Sequence, residues 1–128
     1  MRHGSVIHGR RIMIIEDEYY LACDLDDELT AAGATILGPA PSVRSALAML
    51  DGGLAPDAAI LDMNLKGEMA YPVADALAAR RIPFIVATGY DRASLPERYA
   101  DCHRMEKPID VAMLLRTIDM LINESNDS

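Results

Sequence analysis

The chain has 128 residues, a hydrophobic fraction of 51% and a formal net charge of −8 at pH 7. This length fits one domain with one core, and the apolar content lies above that of disordered chains. The acidic balance argues against direct binding to nucleic acid or to anionic lipid, and no apolar run approaches the roughly 20 residues of a membrane-spanning helix.

The N-terminal part predicts an extension, a strand and a helix. Residues 1–10 are expected to form a loose extension. Their basic start leads into only a short apolar segment, so they do not form a secretory signal. Residues 12–15 are a run of four apolar residues, typical of a buried strand, and three carboxylates follow at 16–18. Apolar residues then recur with helical spacing up to Gly33, a natural helix stop.

The next unit is a second strand followed by a second helix. The strand is predicted at residues 35–37 and is closed by the Gly-Pro pair at 38–39. Ser42 is a favourable N-cap for the helix, because its hydroxyl can accept a hydrogen bond from a free backbone N–H. The glycine pair at 52–53 is expected to end this helix.

Two more apolar runs predict the centre of the sheet. The run at residues 58–61 ends in acid at Asp62, and a loop with Gly67 follows it. Pro72 is well suited to the first turn of a third helix. The run at residues 84–87 predicts the fourth strand.

The C-terminal part predicts an edge strand and a final helix. Residues 91–101 are polar and weakly patterned, so a short or mobile helix is expected there. Residues 103–106 form a polar fifth strand, typical of a sheet edge, which ends at Lys107. A clearly amphipathic helix then runs to about residue 123, and residues 124–128 are expected to form a tail.

Five strand–helix units predict an α/β fold, a doubly wound five-stranded parallel sheet in a single domain over residues 11–123. Functional sites of such sheets form at the carboxyl ends of the strands, so these ends are expected to meet at one edge. The chemically suited groups at four of these ends are Glu16, Asp17, Asp62, Thr88 and Lys107.

The acidic groups predict a metal site. At a separation of about 4–5 Å and an effective dielectric constant of about 20, two carboxylates repel each other by about 3–4 kcal/mol. A divalent cation removes this repulsion, and hard oxygen ligands are those that Mg²⁺ prefers. Glu16, Asp17 and Asp62 are therefore predicted to hold Mg²⁺. Thr88 and Lys107 would then complement phosphoryl oxygens, with Asp62 as the nucleophile that forms an acyl phosphate.

The cysteine and histidine residues give no metal-binding pattern. Cys23 and Cys102 are expected to be buried reduced thiols of a cytoplasmic protein, because they lack the spacing of a redox or zinc motif. His3, His8 and His103 likewise lack the spacing of a zinc site.

The order of these motifs resembles the receiver domain of bacterial two-component response regulators, over about residues 10–123. The motifs are E-D after the first strand, D-M-N-L after the third, A-T-G after the fourth and K-P after the fifth. The resemblance implies a flavodoxin-like sheet with the strand order 2-1-3-4-5. It also implies that Asp62 is the phosphoacceptor and that a phosphohistidine on a sensor kinase is the donor.

Further site assignments come from the same resemblance. It implies that Glu16 and Asp17 hold Mg²⁺ together with Asp62, and that the main-chain carbonyl of Asn64 is an additional ligand. It implies that Thr88 binds the phosphoryl group together with the lysine of the K-P motif, and that the peptide bond of this motif is cis.

Three positions depart from the common receiver pattern. Glu16 stands where many receivers have the first of two Asp residues, and it should still bind the metal. Lys66 stands where many have Pro, four residues after the phosphoacceptor, so this loop is expected to be less rigid. Arg104 occupies the position of an aromatic residue that usually turns inward on activation. We therefore predict that the Thr88 hinge and Tyr90 carry the conformational signal instead.

Residues 84–90, F-I-V-A-T-G-Y, resemble an alphaproteobacterial receiver subgroup with a Phe-Ala-Thr-Gly motif that lacks the inward-turning aromatic residue. The stretch at residues 64–77 is similar to the same subgroup. Members of this subgroup often work with histidine kinases of the HWE and related classes, so the resemblance implies a kinase of this type.

The leading interpretation is a stand-alone cytoplasmic receiver, which is a switch and not an enzyme. Asp62 accepts a phosphoryl group from a sensor histidine kinase or a phosphotransfer protein, and the change switches binding of a downstream protein or relays the phosphate. One alternative is an adapter that works without phosphorylation. A second is a Mg²⁺-dependent phosphotransferase with an Asp nucleophile, although the chain has no room for a cap domain. A third is a flavodoxin-like cofactor carrier, which would need a hydroxyl- and glycine-rich loop where this chain has acid.

Overall fold

The computed structural model describes residues 7–89 and 96–127, with side chains described up to residue 124. Its strands are β1 (Arg11–Ile15), β2 (Thr35–Ala40), β3 (Ala58–Asp62), β4 (Asn64–Leu65), β5 (Glu68–Met69), β6 (Phe84–Thr88) and β7 (His103–Glu106). Its helices are α1 (Tyr19–Ala31), α2 (Val43–Asp51), α3 (Tyr71–Ala79) and α4 (Val111–Asp127), with a short 3₁₀ helix at Glu97–Tyr99. Within the described part of the chain, no helix is long and apolar enough to cross a membrane.

Five strands form one parallel sheet in the order β2-β1-β3-β6-β7. In the numbering of the five predicted strands this order is 2-1-3-4-5, so the predicted doubly wound, flavodoxin-like α/β fold is confirmed. The two remaining strands, β4 and β5, form a separate antiparallel hairpin after β3. The acidic end of β1 therefore lies beside the acidic end of β3 at the centre of the sheet.

Both faces of the sheet are buried. In β1, Met13 and Ile15 belong to the core cluster beneath α2 and α3, whereas Ile12 and Ile14 belong to the cluster beneath α1 and α4. This division follows from the alternation of side chains along a strand. All five residues of β3 are buried, which explains why the central strands read as continuous apolar runs.

The predicted stop at Gly33 ends α1 through a Schellman motif. The N–H of Gly33 donates to the carbonyl of Thr30 (2.9 Å), and the N–H of Ala34 donates to that of Leu29 (3.1 Å). Gly33 has a φ of +99°, which L side chains rarely adopt. Ser42 caps α2 as predicted, because its hydroxyl accepts from the N–H of Ser45 at 3.0 Å.

The helix α3 ends with the same motif but with an arginine in the glycine position. The N–H of Arg81 donates to the carbonyl of Ala78 (3.0 Å), and that of Ile82 donates to Leu77 (2.9 Å). Arg81 is exposed and has a φ of +59°. The motif therefore forms at the cost of a left-handed backbone conformation in a residue with a Cβ atom.

The second strand is longer than predicted. The expectation that Gly38-Pro39 closes it is wrong, because β2 continues to Ala40. The pairing of β2 with β1 shifts between Met13 and Ile15, so the Gly-Pro pair lies at an irregularity of the ladder. Since β2 is at the sheet edge, a proline without an N–H group is tolerated there.

The two ends of the described chain are more ordered than expected for an extension and a tail. Ile7 is fully buried in the core cluster beneath α1 and α4, and the N–H of Gly9 donates to the carbonyl of Gly33 at 2.8 Å. The helix α4 continues to Asp127, beyond the expected end at residue 123. The domain boundaries themselves stay predictions.

Two smaller expectations concern the cysteines and the segment before β7. Cys23 and Cys102 are free as predicted, but both are only partly buried. The described part of residues 91–101 contains a short 3₁₀ helix at Glu97–Tyr99, in line with the short helix expected there, and residues 90–95 lie outside the described part of the chain.

Replacing Arg81 with Gly should raise the free energy of unfolding by about 0.5–1 kcal/mol, because glycine adopts the left-handed conformation without a steric penalty. The opposite change at the equivalent position of α1, Gly33→Ala, should destabilise the protein, since the added Cβ would also lie 2.5 Å from His8 Nδ1. Urea denaturation of both variants measures these differences. A loss of stability in Arg81→Gly would contradict the assignment.

Candidate functional site

Three carboxylates converge at the carboxyl edge of the sheet. Glu16 and Asp17 follow β1, and Asp62 ends the neighbouring strand β3. One carboxylate oxygen from each of the three residues lies within 4.8 Å of the others. The predicted convergence of acids from two distant segments is therefore present in the fold, and it makes an acidic pocket that can bind a metal ion.

Lys107 extends into this group from the loop after β7. Its Nζ lies 2.9 Å from Asp62 Oδ2, 3.2 Å from Glu16 Oε1 and 3.8 Å from Glu18 Oε2. Its backbone N–H donates to the carbonyl of Thr88 at 2.8 Å, which fixes the loop against the end of β6. The Lys107-Pro108 peptide bond is cis, as the resemblance implied.

The acids are unusually buried for charged groups. Glu16 is 4% exposed and Asp62 is 7% exposed. Burial raises the pKa of Glu16 to about 7, and the neighbouring Asp62 acts in the same direction. The N–H of Glu18, which donates to Glu16 Oε2 at 3.0 Å, and the ammonium of Lys107 lower that pKa but do not outweigh burial.

Lys107 keeps its positive charge in this environment. Burial by itself lowers the pKa of the ammonium, but the hydrogen bond and the charge of Asp62, together with Glu16, raise the pKa above its ordinary value. The site thus holds one firmly protonated cation against several carboxylates. Negative charge remains in excess, which is the electrostatic condition for binding a divalent cation.

The carboxylate of Asp62 is oriented by two donors. Lys107 donates to Oδ2, and the backbone N–H of Asn64 donates to Oδ1 at 3.0 Å. Asn64 also lines a cleft of about 360 Å³ that opens above the carboxylates. The lining residues are Asp17, Glu18, Asp62, Asn64, Lys66, Gly67, Gly89 and Lys107.

One wall of the cleft is the β4–β5 hairpin, where the sequence predicted only a loop. Lys66 and Gly67 have φ values of +53° and +89°, which is the combination of a type I′ turn. The N–H of Gly67 donates to Asn64 Oδ1 at 2.7 Å. Proline fixes φ near −65°, so it cannot occupy the first turn position. The lysine in place of the common proline therefore belongs to a different and hydrogen-bonded turn.

Thr88 ends β6, one residue beyond the pairing of Ala87 with Asp62. It is 6% exposed, and its Oγ1 lies 3.5 Å from the carbonyl of Met105 in β7. This long hydrogen bond leaves the hydroxyl available for a better acceptor. Thr88 thus lies at the same sheet edge as Asp62 and Lys107, as the order of the strand ends predicted.

Of the remaining switch residues predicted from the sequence, Arg104 lies within the described part of the chain. Arg104 is exposed on β7, pairs with Val86 in the ladder, and donates from Nη2 to the carbonyl of Ala100 at 3.1 Å. Tyr90 lies outside the described residues. Its role and that of Arg104 stay predictions, as do the roles of the other site residues.

Removing the ammonium of Lys107 should destabilise the protein when no metal ion is bound. Lys107→Met leaves Glu16 and Asp62 buried without a counter-ion, so the free energy of unfolding should fall by about 1–3 kcal/mol. At a pH above the raised pKa of Glu16, adding Glu16→Gln to this variant should restore part of the loss, because it removes one of the opposing charges. Urea denaturation in the presence of a chelator measures both effects.

A matched control is available on the surface. Arg80 and Asp51 form an ion pair at 3.0 Å whose side chains are 38% and 72% exposed. Because exposed pairs contribute little, Arg80→Met should cost less than about 0.5 kcal/mol. If Lys107→Met lowers the free energy of unfolding no more than Arg80→Met does, the ammonium of Lys107 does not compensate the charge of the buried acids.

The comparisons with known proteins point to one family, although no family model matches the chain. The chain is 39% identical to SdrG from Sphingomonas melonis Fr1, over 92% of this chain and 98% of that protein, with a TM-score of 0.77. A response regulator receiver protein from Sinorhizobium medicae WSM419 has the same fold, with 24% identity, a TM-score of 0.78 and coverage of 91% and 97%.

A curated relative supports the same assignment. The transcriptional regulatory protein PdtaR of Mycobacterium tuberculosis is 29% identical over 118 residues, which are 89% of this chain and 57% of PdtaR. The chain thus spans little more than half the length of this relative. Strand order, the acidic pocket at the sheet edge and these similarities lead to one conclusion: the chain belongs to the receiver domains of two-component response regulators.

Proposed function

We propose that this receiver is a phosphoacceptor switch in which Asp62 takes a phosphoryl group from a histidine kinase or a phosphotransfer protein. The observation that carries the proposal is the environment of the Asp62 carboxylate. Asp62 is held between the ammonium of Lys107 at 2.9 Å and the N–H of Asn64 at 3.0 Å, and it lines an open cleft. Receiver domains in general act as switches of this kind, and we propose that this one is likewise not an enzyme.

The residues present fit Mg²⁺. Glu16, Asp17 and Asp62 offer only hard oxygen ligands within 4.8 Å of one another, and a single ammonium does not neutralise them. We propose the main-chain carbonyl of Asn64 as a further ligand, because this residue lines the same cleft. When bound, Mg²⁺ supplies positive charge that stabilises the oxygens of the transferring phosphoryl group.

The protein's own groups then carry the transfer. An oxygen of Asp62 forms a bond to phosphorus while the bond from phosphorus to the donor's imidazole nitrogen breaks, and the electron pair stays on that nitrogen. Lys107 already contacts Asp62, so its ammonium is close enough to interact with an oxygen of the new acyl phosphate. The N–H of Asn64 keeps the carboxylate oriented during the attack.

The conformational signal is proposed to begin at Thr88. Its hydroxyl makes only a 3.5 Å contact with the carbonyl of Met105, so a charged phosphoryl oxygen is a stronger acceptor for it. Loss of that contact changes the junction between β6 and β7, where Arg104 is located. With Tyr90, these residues form the proposed switch, which biases the protein between two populations.

The finer features of the pathway are also proposals. The output surface comprises α4, β7 and the segment before β7, and it binds a downstream protein or passes phosphate on. Two exposed methionines on α4, Met113 (49%) and Met120 (41%), support a protein partner.

The motif at residues 84–89 supports the Phe-Ala-Thr-Gly subgroup and hence an HWE-type kinase. Acidic net charge and free cysteines support a cytoplasmic protein that binds neither nucleic acid nor membrane.

Phosphorylation at Asp62 is tested by incubation with acetyl phosphate and Mg²⁺ followed by intact-mass analysis. The wild type should gain the mass of one phosphoryl group, and Asp62→Asn should gain none, because an amide is a poor nucleophile. The wild type should also fail to react when Mg²⁺ is chelated. A wild type that remains unmodified would favour the adapter that works without phosphorylation, and a fully modified Asp62→Asn would overturn the assignment of Asp62 as the phosphoacceptor.

The role of Thr88 is tested with beryllofluoride, which stands in for the phosphoryl group. In the wild type, beryllofluoride and Mg²⁺ should shift the amide NMR signals of Met105 and Arg104 in β7. Thr88→Val keeps the shape of the side chain but removes the hydroxyl, so these shifts should fall by about half or more while the signal of Asn64 still responds. Equal shifts in both proteins would exclude the hydroxyl as the start of the signal.

A further inference from the structure

Lys66 is a second cation at the cleft, and the proposed phosphoryl transfer gives it no role. It occupies the tip of the β4–β5 hairpin, its side chain is exposed, and it lines the same cleft as Asp62 and Lys107. Among the described residues, none of the ion pairs involves Lys66. Its ammonium is therefore available to a ligand in the cleft.

The backbone of Lys66 is costly for a lysine. Its φ of +53° lies in the left-handed region, and the following Gly67 at +89° completes a type I′ turn. Asparagine, aspartate and glycine are the residues that this first turn position prefers, because they tolerate the conformation best. A lysine here lowers the stability of the hairpin relative to asparagine. A strained residue at the rim of a site is a reason to look for a function of its side chain.

The negative charge of the cleft lining suggests a function for the Lys66 side chain. The other described cation in its lining, Lys107, already contacts Asp62, Glu16 and Glu18. Asp17, Glu18 and Asp62 line the cleft, and the chain carries a net charge of −8. A phosphate-bearing donor that approaches this surface is repelled, and repulsion of this kind slows association.

We propose that Lys66 is a donor-binding residue of the phosphoacceptor cleft, where its ammonium attracts and orients the anionic phosphoryl group of the incoming donor. This inference rests on the proposed function of Asp62. The flexible stem of lysine lets the charge reach over the cleft from the hairpin tip. The turn fixes the starting point of that stem, because Gly67 is bound to Asn64 Oδ1 at 2.7 Å.

The test compares rates of phosphorylation by acetyl phosphate in four proteins at saturating Mg²⁺. Saturation matters because loss of a nearby cation strengthens metal binding and would offset the effect. Lys66→Asn should react about three- to fivefold more slowly than the wild type at low ionic strength, and this difference should shrink at high salt. Lys66→Arg should keep the rate, since it keeps the charge.

The chain offers a matched control at the opposite edge of the sheet. Arg81 also carries a positive charge on a backbone with positive φ (+59°), and it precedes β6 rather than following it. Arg81→Asn therefore makes the same change of charge and the same relief of strain far from the cleft. Both asparagine variants should melt at or above the wild-type temperature, but only Lys66→Asn should react slowly.

Two results would overturn the inference while the wild type is still phosphorylated. Equal rates for Lys66→Asn and Arg81→Asn would mean that the position of the charge is irrelevant. Equal slowing of Lys66→Asn and Lys66→Arg would mean that the shape of the hairpin matters instead of charge. A wild type that takes no phosphoryl group overturns the proposed function of Asp62 itself, and this inference with it.

Discussion

The compensation of buried carboxylates by one ammonium is the interaction on which the site depends. Glu16 and Asp62 are almost fully buried at the carboxyl ends of neighbouring strands, so their mutual repulsion is weakly screened. Lys107 contacts both acids, at 3.2 Å and 2.9 Å, from a loop that follows the edge strand β7. Ion pairs of Lys107 thus connect the carboxyl ends of β1, β3 and β7 at the edge of the hydrophobic core. A single ammonium leaves the balance negative, and this residual charge is the electrostatic condition for binding a cation.

The strand order explains why these groups meet although the sequence separates them widely. The strands β1 and β3 lie side by side at the centre of the sheet, so their acidic ends are neighbours. The strands β6 and β7 follow on one side and bring Thr88 and Lys107 to the same edge. A different strand order would separate this set, because side chains at the ends of distant strands cannot reach one another. The site is therefore a consequence of topology, and local sequence supplies only the chemistry of each strand end.

Burial determines which parts of this structure were predictable from the sequence. The central strands were recognised because both of their faces are buried, and the convergence of Glu16, Asp17 and Asp62 because neighbouring strands end in carboxylates. The β4–β5 hairpin was missed, because Lys66 is an unusual residue for a turn that needs positive φ. The buried Ile7 and the continuation of β2 beyond Pro39 depend on contacts with distant elements, which local patterns do not encode. The multiple contacts of Lys107 likewise require the three-dimensional arrangement.

A backbone hydrogen bond of Lys107 connects the cleft with Thr88, where the proposed conformational signal begins. Its N–H donates to the carbonyl of Thr88 at 2.8 Å, while the hydroxyl of Thr88 lies at a long distance from Met105. The lysine is therefore fixed to β6 by its main chain and to the acids by its side chain. In the proposed switch, a phosphoryl group on Asp62 would compete for the ammonium and for the hydroxyl at once, so both ends of this connection would respond to the same event. Since β7 is an edge strand with one neighbour, it can adjust with little loss of packing, whereas the buried β3 remains fixed.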